Sequence, residues 1–219
     1  MTIEPQQYVL MVAVAVMGVG ALISRTRQRK RREAYAEYCL GRGFKYEPQH
    51  PEGERRFRDV FESFRQGNSD SWRNTITGTK NGAEFTAFEY VWQTGGRNRQ
   101  THYRSGVIWE RDEVSFPKFT LVPEGWFSKI GQVFGMQDID FPESPVFSST
   151  YRLAGPNESA IRELFTTEIR QFFDATPGQR VSGGGRFLIW WFEAGLPSAM
   201  ALDEWLERGD HVRRRFFKQ

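Results

Sequence analysis

The chain has 219 residues, 15% of them aromatic, with a formal charge of +3 and a pI near 9.1. The positive excess is local: residues 33–219 hold 24 Lys+Arg against 26 Asp+Glu, so the bulk of the chain is nearly neutral and a nucleic-acid-binding role is excluded on charge. Cys39 is the sole cysteine, which rules out an intrachain disulfide and suits a reducing compartment.

The N-terminus carries the clearest pattern. Tyr8 to Ile23 (YVLMVAVAVMGVGALI) is a run of sixteen uncharged residues, and Glu4 is the only charged side chain before it. Six cations follow at once: Arg25, Arg27, Arg29, Lys30, Arg31 and Arg32. A helix of that length rises about 24 Å, slightly short of a hydrocarbon core of roughly 30 Å. Ser24 in the interface and a snorkelling Arg25 make up the difference. A cleaved signal peptide would carry its cations before the apolar run, and a buried core helix would lack the basic block. The pattern therefore predicts a single-pass anchor. Residues 1–7 form a short extracytoplasmic tail, 8–24 the transmembrane helix, 25–40 a basic juxtamembrane helix and 41–219 a cytosolic domain. The six cations are expected at the membrane surface, where anionic headgroups attract them by about 1 kcal/mol each.

Beyond the anchor, Glu33 to Leu40 continues the helix, with Gly41 and Gly43 as its end. Phe44-Lys-Tyr is extended. Glu54 to Arg65 has Phe57, Val60, Phe61 and Phe64 at helical spacing. Trp72 to Thr79 and Ala83 to Thr94 read as strands joined by an Asn81-Gly82 hairpin. Thr101 to Arg111 and Phe116 to Val122 are further strands. Trp126 to Gly135 is a short helix, and Asp138 to Ser149 is irregular. Tyr151 to Ala154 is a strand. Asn157 caps one helix running to about Asp174. Gln179 to Ser182 is a strand, Gly183-Gly184-Gly185 a tight turn and Arg186 to Phe192 an apolar strand. Pro197 opens a final helix to about Arg215. Both halves read as strand, helix, strand, strand. The expected fold is α+β: one antiparallel sheet packed by helices, with a β-α-β-β pseudo-repeat.

Residues that could carry chemistry are few. His50, His102 and His211 lack ligand spacing to one another or to Cys39. Asp138, Asp140 and Glu143 make the densest acidic loop, but turn and cap hydrogen bonds explain such residues better than a divalent cation does. The triple glycine is not followed by the Lys-Ser/Thr of a phosphate loop. Glu89, Glu193 and Asp112 lie in or beside apolar strands, where a carboxylate either acts in acid–base chemistry or pairs with an arginine. No catalytic residue, metal or cofactor is assigned. Trp92, Trp109, Trp190 and Trp191 are the candidates for lining an apolar cavity, with a solid aromatic core as the alternative.

Phe116-Pro-Lys-Phe-Thr-Leu-Val-Pro-Glu-Gly-Trp126, Asp138-Ile-Asp-Phe141 and Pro145-Val-Phe-Ser-Ser-Thr-Tyr-Arg-Leu153 resemble an uncharacterised group of bacterial single-pass membrane proteins. The resemblance spans about residues 40–195 and consists of hydrophobics and prolines. It implies a bacterial inner-membrane setting and one domain, and no functional residue. The expected function is a membrane-tethered binding module with an unidentified protein partner. The alternative is a domain that binds a lipid or other apolar ligand of the envelope, and after that a carboxylate enzyme.

Overall fold

The computed structural model describes residues 5–50, 56–57, 60–61, 64, 69–96, 98–126 and 138–217, with backbone alone at 5–17 and 69–70. The elements are α1 (Pro5–Leu40), β1 (Lys45–Gln49), β2 (Ser69–Lys80), β3 (Ala83–Thr94), β4 (Gln100–Glu110) and β5 (Phe116–Pro123). They continue with α2 (Pro145–Thr150), β6 (Tyr151–Ala154), α3 (Glu158–Leu164), α4 (Thr167–Ala175), β7 (Val181–Gly185) and β8 (Phe187–Phe192). A 3-10 turn (Ala199–Ala201) then leads into α5 (Leu202–Phe216).

The fold is α+β, built on one eight-stranded sheet of order β1-β2-β3-β4-β8-β7-β5-β6 in which every pairing is antiparallel. Asn81 and Gly82 both have positive φ, at 50° and 73°, as the two-residue β2–β3 hairpin requires. The two halves do not share pairing. β1 bonds directly to β2, whereas β5 separates β6 from β7. Most of the expected Glu54–Arg65 and Trp126–Gly135 helices lies outside the described residues.

Both faces of the sheet are buried. Along β8 the side chains alternate between them: Leu188 and Trp190 on one face, Phe187, Ile189 and Trp191 on the other. The first face carries the helices. Tyr35, Tyr38 and Cys39 of α1 pack there with Phe147 of α2, Ile161 of α3, Phe173 of α4 and Leu206, Val212 and Phe216 of α5. The second face is covered by Phe57, Phe61 and Phe64, with Phe64 edge-on to Trp72, Phe88 and Tyr90 at 4.9–5.3 Å.

Three local expectations are corrected. The Asp138–Ser149 stretch contains α2, which starts at Pro145 because proline is tolerated where the helical N–H has no partner. The single helix from Asn157 is two, because the Thr166 hydroxyl accepts from Ile169 N–H and caps α4 afresh. The triple glycine lies wholly within β7. Gly183 pairs with Phe119 and Leu188, and a Cβ there would lie 2.3 Å from the Phe119 ring, so the residue makes room for an aromatic side chain.

α5 approaches the sheet most closely at Gly209, where a Cβ would fall 2.7 Å from both Trp109 and Trp190. Alanine at a helix interior is worth about 1 kcal/mol over glycine, but overpacking against two buried indoles costs about 1–3 kcal/mol. Gly209→Ala is therefore expected to lower the denaturation midpoint, a net loss of about 1 kcal/mol in a chemical unfolding curve. A gain would show that α5 is free to shift.

Candidate functional site

Among the described residues, a densely bonded and largely buried polar cluster is built where α1 meets the sheet. β2 carries an irregularity between Arg73 and Ile76, and Asn74 within it has φ 50°. Asparagine tolerates that left-handed backbone better than most residues. The bulge turns the buried Asn74 side chain so that its amide donates to Glu89 Oε2 at 2.8 Å and its carbonyl accepts from the Tyr46 hydroxyl at 2.8 Å.

Glu89, on β3, is 3% exposed. It also accepts from Arg31 Nη2 at 2.9 Å and from the Leu196 N–H at 3.0 Å. Arg31 reaches past it to the Leu196 carbonyl at 2.6 Å and donates from Nε to the Tyr35 hydroxyl at 2.9 Å. Tyr35 then donates to the Pro197 carbonyl at 2.6 Å. Burial works against the Arg31 charge, but Glu89 and Tyr35 outweigh it and hold the guanidinium above its usual value. Burial also raises the Tyr35 hydroxyl. Further along α1, Tyr38 donates to Asp203 at 2.8 Å, and Arg42 pairs with the same carboxylate. These contacts make the last turns of α1 part of the domain core.

They also fix the direction of α1. Phe44, next to Tyr38, meets Phe85 near the start of β3 (5.1 Å between rings), while the earlier Arg31 meets Glu89 farther along. Followed back toward its N-terminus, α1 runs toward the C-terminal end of β3. The β3–β4 connection, with exposed Gly95, Gly96, Asn98 and Arg99, lies at that same end.

Of the six juxtamembrane cations, Arg31 is thus drawn into the domain. Arg25, Arg27, Arg29, Lys30 and Arg32 are exposed, with Arg29 3.4 Å from Glu33. The run Tyr8–Ile23 lies on α1, but its side chains up to Met17 are outside the described residues. Among the described residues, no helix is long and apolar enough to cross a membrane.

The four tryptophans are buried but do not converge. Trp109 and Trp190 lie on the α1 face, Trp92 and Trp191 on the opposite face. Arg104, 1% exposed, occupies the space between the latter two, its guanidinium 5.1 Å and 4.5 Å from their rings. Burial pulls the Arg104 charge below its ordinary value while Glu193, accepting from Nε at 2.9 Å, pushes back. A surface groove of about 400 Å³ beside α4 and α5 is lined by Phe172, Gln179, His211 and Val212, not by the tryptophans.

The other candidates are occupied by structural partners. Asp138 accepts from Leu153 N–H at 3.1 Å, and Glu143 pairs with Arg170 at 3.0 Å. Among the described residues no group of three or more His, Cys, Asp or Glu could hold a metal. Asp112 pairs with Arg186 at 2.7 Å. His50 contacts Glu47, and His102 stacks on Trp92. Arg213 and Arg214 contact Asp210, and Arg215 faces Glu168.

No known protein family matches the chain, and no curated protein does. Among solved structures, the mycobacterial trehalose monomycolate transport factor A, TtfA, is similar in fold: TM-score 0.56 at 12% identity, covering 86% of this chain and 92% of that one.

Two measurements check the α1 junction. Glu89→Ala leaves Arg31, Asn74 and the Leu196 N–H without their acceptor. It should cost about 2–3 kcal/mol in an unfolding curve, toward the low end because Arg31 is partly solvated. Cys39 is 1% exposed, and burial pushes its thiol up to about 11 against a smaller pull from Arg42. It should resist a thiol reagent at pH 8 in the native chain and label quickly in denaturant. Faster native-state labelling in Glu89→Ala is the expected sign of a loosened α1, and rapid labelling of the unaltered chain would mean that α1 is not docked.

Proposed function

We propose that the protein is a non-catalytic binding module held at the cytosolic face of a bacterial inner membrane by its N-terminal helix, working on a lipid-class ligand of the envelope or on the protein that carries it. The observation that carries this reading is the docking of α1: Arg31, Tyr35 and Tyr38 join it to β3, the segment after β8 and α5. A helix so joined holds the domain in one orientation instead of trailing it on a flexible linker. Ser24 lies about 10 Å along the helix from Arg31. The apolar run before it enters from the side on which the β3–β4 connection lies, so an anchored α1 sets that end of the sheet against the headgroups.

The likeness to a transport factor for a lipid favours a lipid-related task over an enzymatic one. The carboxylates that could have formed an acid–base pair are engaged by arginines and backbone amides instead. The five exposed cations supply the cytosolic orientation and contact with anionic headgroups.

Carbonate extraction of membranes should leave the full chain in the pellet, and a C-terminal reporter should be active only when it is of the cytosolic type. Release into the supernatant would overturn the anchor, and activity of a periplasmic reporter would overturn the orientation. Replacing Arg25, Arg27, Arg29, Lys30 and Arg32 with Gln, leaving Arg31 in place, is expected to give a mixed orientation with a folded domain.

A further inference from the structure

Among the described residues four arginines are buried: Arg104, Arg170, Arg180 and Arg213. Three have evident partners. Arg104 donates to Glu193, and Arg213 donates to Asp210 at 2.6 Å. Arg170 donates to Ser144, to the Phe165 carbonyl and to Thr167, and pairs with Glu143. Arg180 differs. It is 9% exposed, its Nε is buried with no partner, and its side chain makes no hydrogen bond or ion pair among the described residues. Its guanidinium lies 4.0 Å from the Trp126 ring, 5.9 Å from Trp191 and 5.8 Å from Phe192. Aromatic faces attract a cation but do not replace the hydrogen bonds it left in water.

Among the described residues, the neighbourhood is short of negative charge. Glu193 is the carboxylate that acts on both Arg180 and Arg104, and it is already bonded to Arg104. Burial pulls the Arg180 charge below its usual value and Arg104 adds to that, yet an arginine stays protonated. Nε alone is buried without a partner; the two terminal nitrogens of the fork reach solvent and have no acceptor among the described residues, which leaves them open to an anion from outside.

Its place in the fold says where that ion comes from. The Arg180 carbonyl accepts from Trp191 N–H at 3.1 Å, which sets the residue beside the end of β8. Glu89, Ser105 and Phe192 are register partners across β3, β4 and β8, so Arg180 stands one residue from the level of the Arg31 junction, on the sheet face opposite α1.

We propose that Arg180, walled by Trp126, Trp191 and Phe192 and backed by the Arg104–Glu193 pair, is the binding site for a singly charged oxyanion, the phosphodiester of a membrane phospholipid. The guanidinium fork matches two phosphate oxygens, and one phosphodiester matches the single charge of Arg180. The lipid source rests on the membrane reading above, which turns the end of the sheet that carries Arg180 toward the headgroups.

The test uses the full chain in uncharged detergent, with tryptophan emission followed during titration. The titrants are dihexanoylphosphatidylglycerol, inorganic phosphate and dihexanoylglycerol. The phospholipid should give a saturable change. Dihexanoylglycerol should give none, and Arg180→Gln should weaken the phospholipid response at least tenfold. An equal response to inorganic phosphate would overturn the lipid source, and a response that Arg180→Gln leaves intact, or none at all, would overturn the site. Arg180→Gln without titrant should show an unchanged or higher Tm, because it removes a buried cation. A fall of several degrees would mean that the guanidinium is structural and would also overturn the site. Micelle binding does not depend on anchoring, so failure here and failure of carbonate extraction are separate results.

Discussion

One buried carboxylate holds the parts of this molecule in register. Glu89 takes hydrogen bonds from α1 through Arg31, from the β2 bulge through Asn74 and from the segment after β8 through Leu196 N–H. A well-packed hydrophobic residue in its place could give equal or greater stability, since desolvating an ion pair cancels much of its attraction. An apolar contact does not specify direction, however, and the fork of Arg31 does. The arrangement therefore makes most sense as orientation: it decides how α1 leaves the sheet. The bulge at Asn74 belongs to the same constraint, because a regular strand would not aim that amide at the carboxylate.

The sheet explains why the aromatic wealth closes into a core instead of a cavity. Residues alternate strictly along β3 and β8, so neighbouring tryptophans such as Trp190 and Trp191 are sent to opposite faces. On the α1 face the space is filled by α5, seated on Trp109 and Trp190 at Gly209. On the other face it is filled by Phe57 and Phe64, with Arg104 inserted between Trp92 and Trp191.

The strands were legible in the sequence where alternation and turn chemistry agree. β3 follows from its β-forming residues and from Asn81-Gly82 before it, and β8 from an apolar run that only a sheet buried on both sides accommodates. The triple glycine misled because glycine marks both turns and close approach, and only the Phe119 ring decides between them. The break at Thr166 was written as a second cap, but continuous apolar spacing on either side hid it. The junction was half legible. A glutamate inside an apolar strand pointed to a paired charge, yet its partner came from α1, where Arg31 is indistinguishable in sequence from five neighbouring cations. Asn74 left one trace: asparagine is disfavoured within a strand, which is itself a sign of a bulge. Arg180 left none, because its isolation is a property of the fold.

Arg104 and Arg180 show how one sheet face can hold two similar charges at different cost. Arg104 is the more deeply buried, but it is flanked by two indoles and bonded to Glu193, so its desolvation is offset within the fold. Arg180 lies nearer the surface and keeps only the aromatic part of that environment. Were both merely structural, a neutral residue at Arg180 would serve the fold better. The same reasoning separates Arg31 from the cations around it. A cation that has a partner inside the molecule fixes geometry, and one that lacks it is left to act on something outside. By that criterion Arg25, Arg27, Lys30, Arg32 and Arg180 belong together: they stand toward the end of the domain from which α1 enters, and none has an acidic partner among the described residues, whereas Arg29 has Glu33.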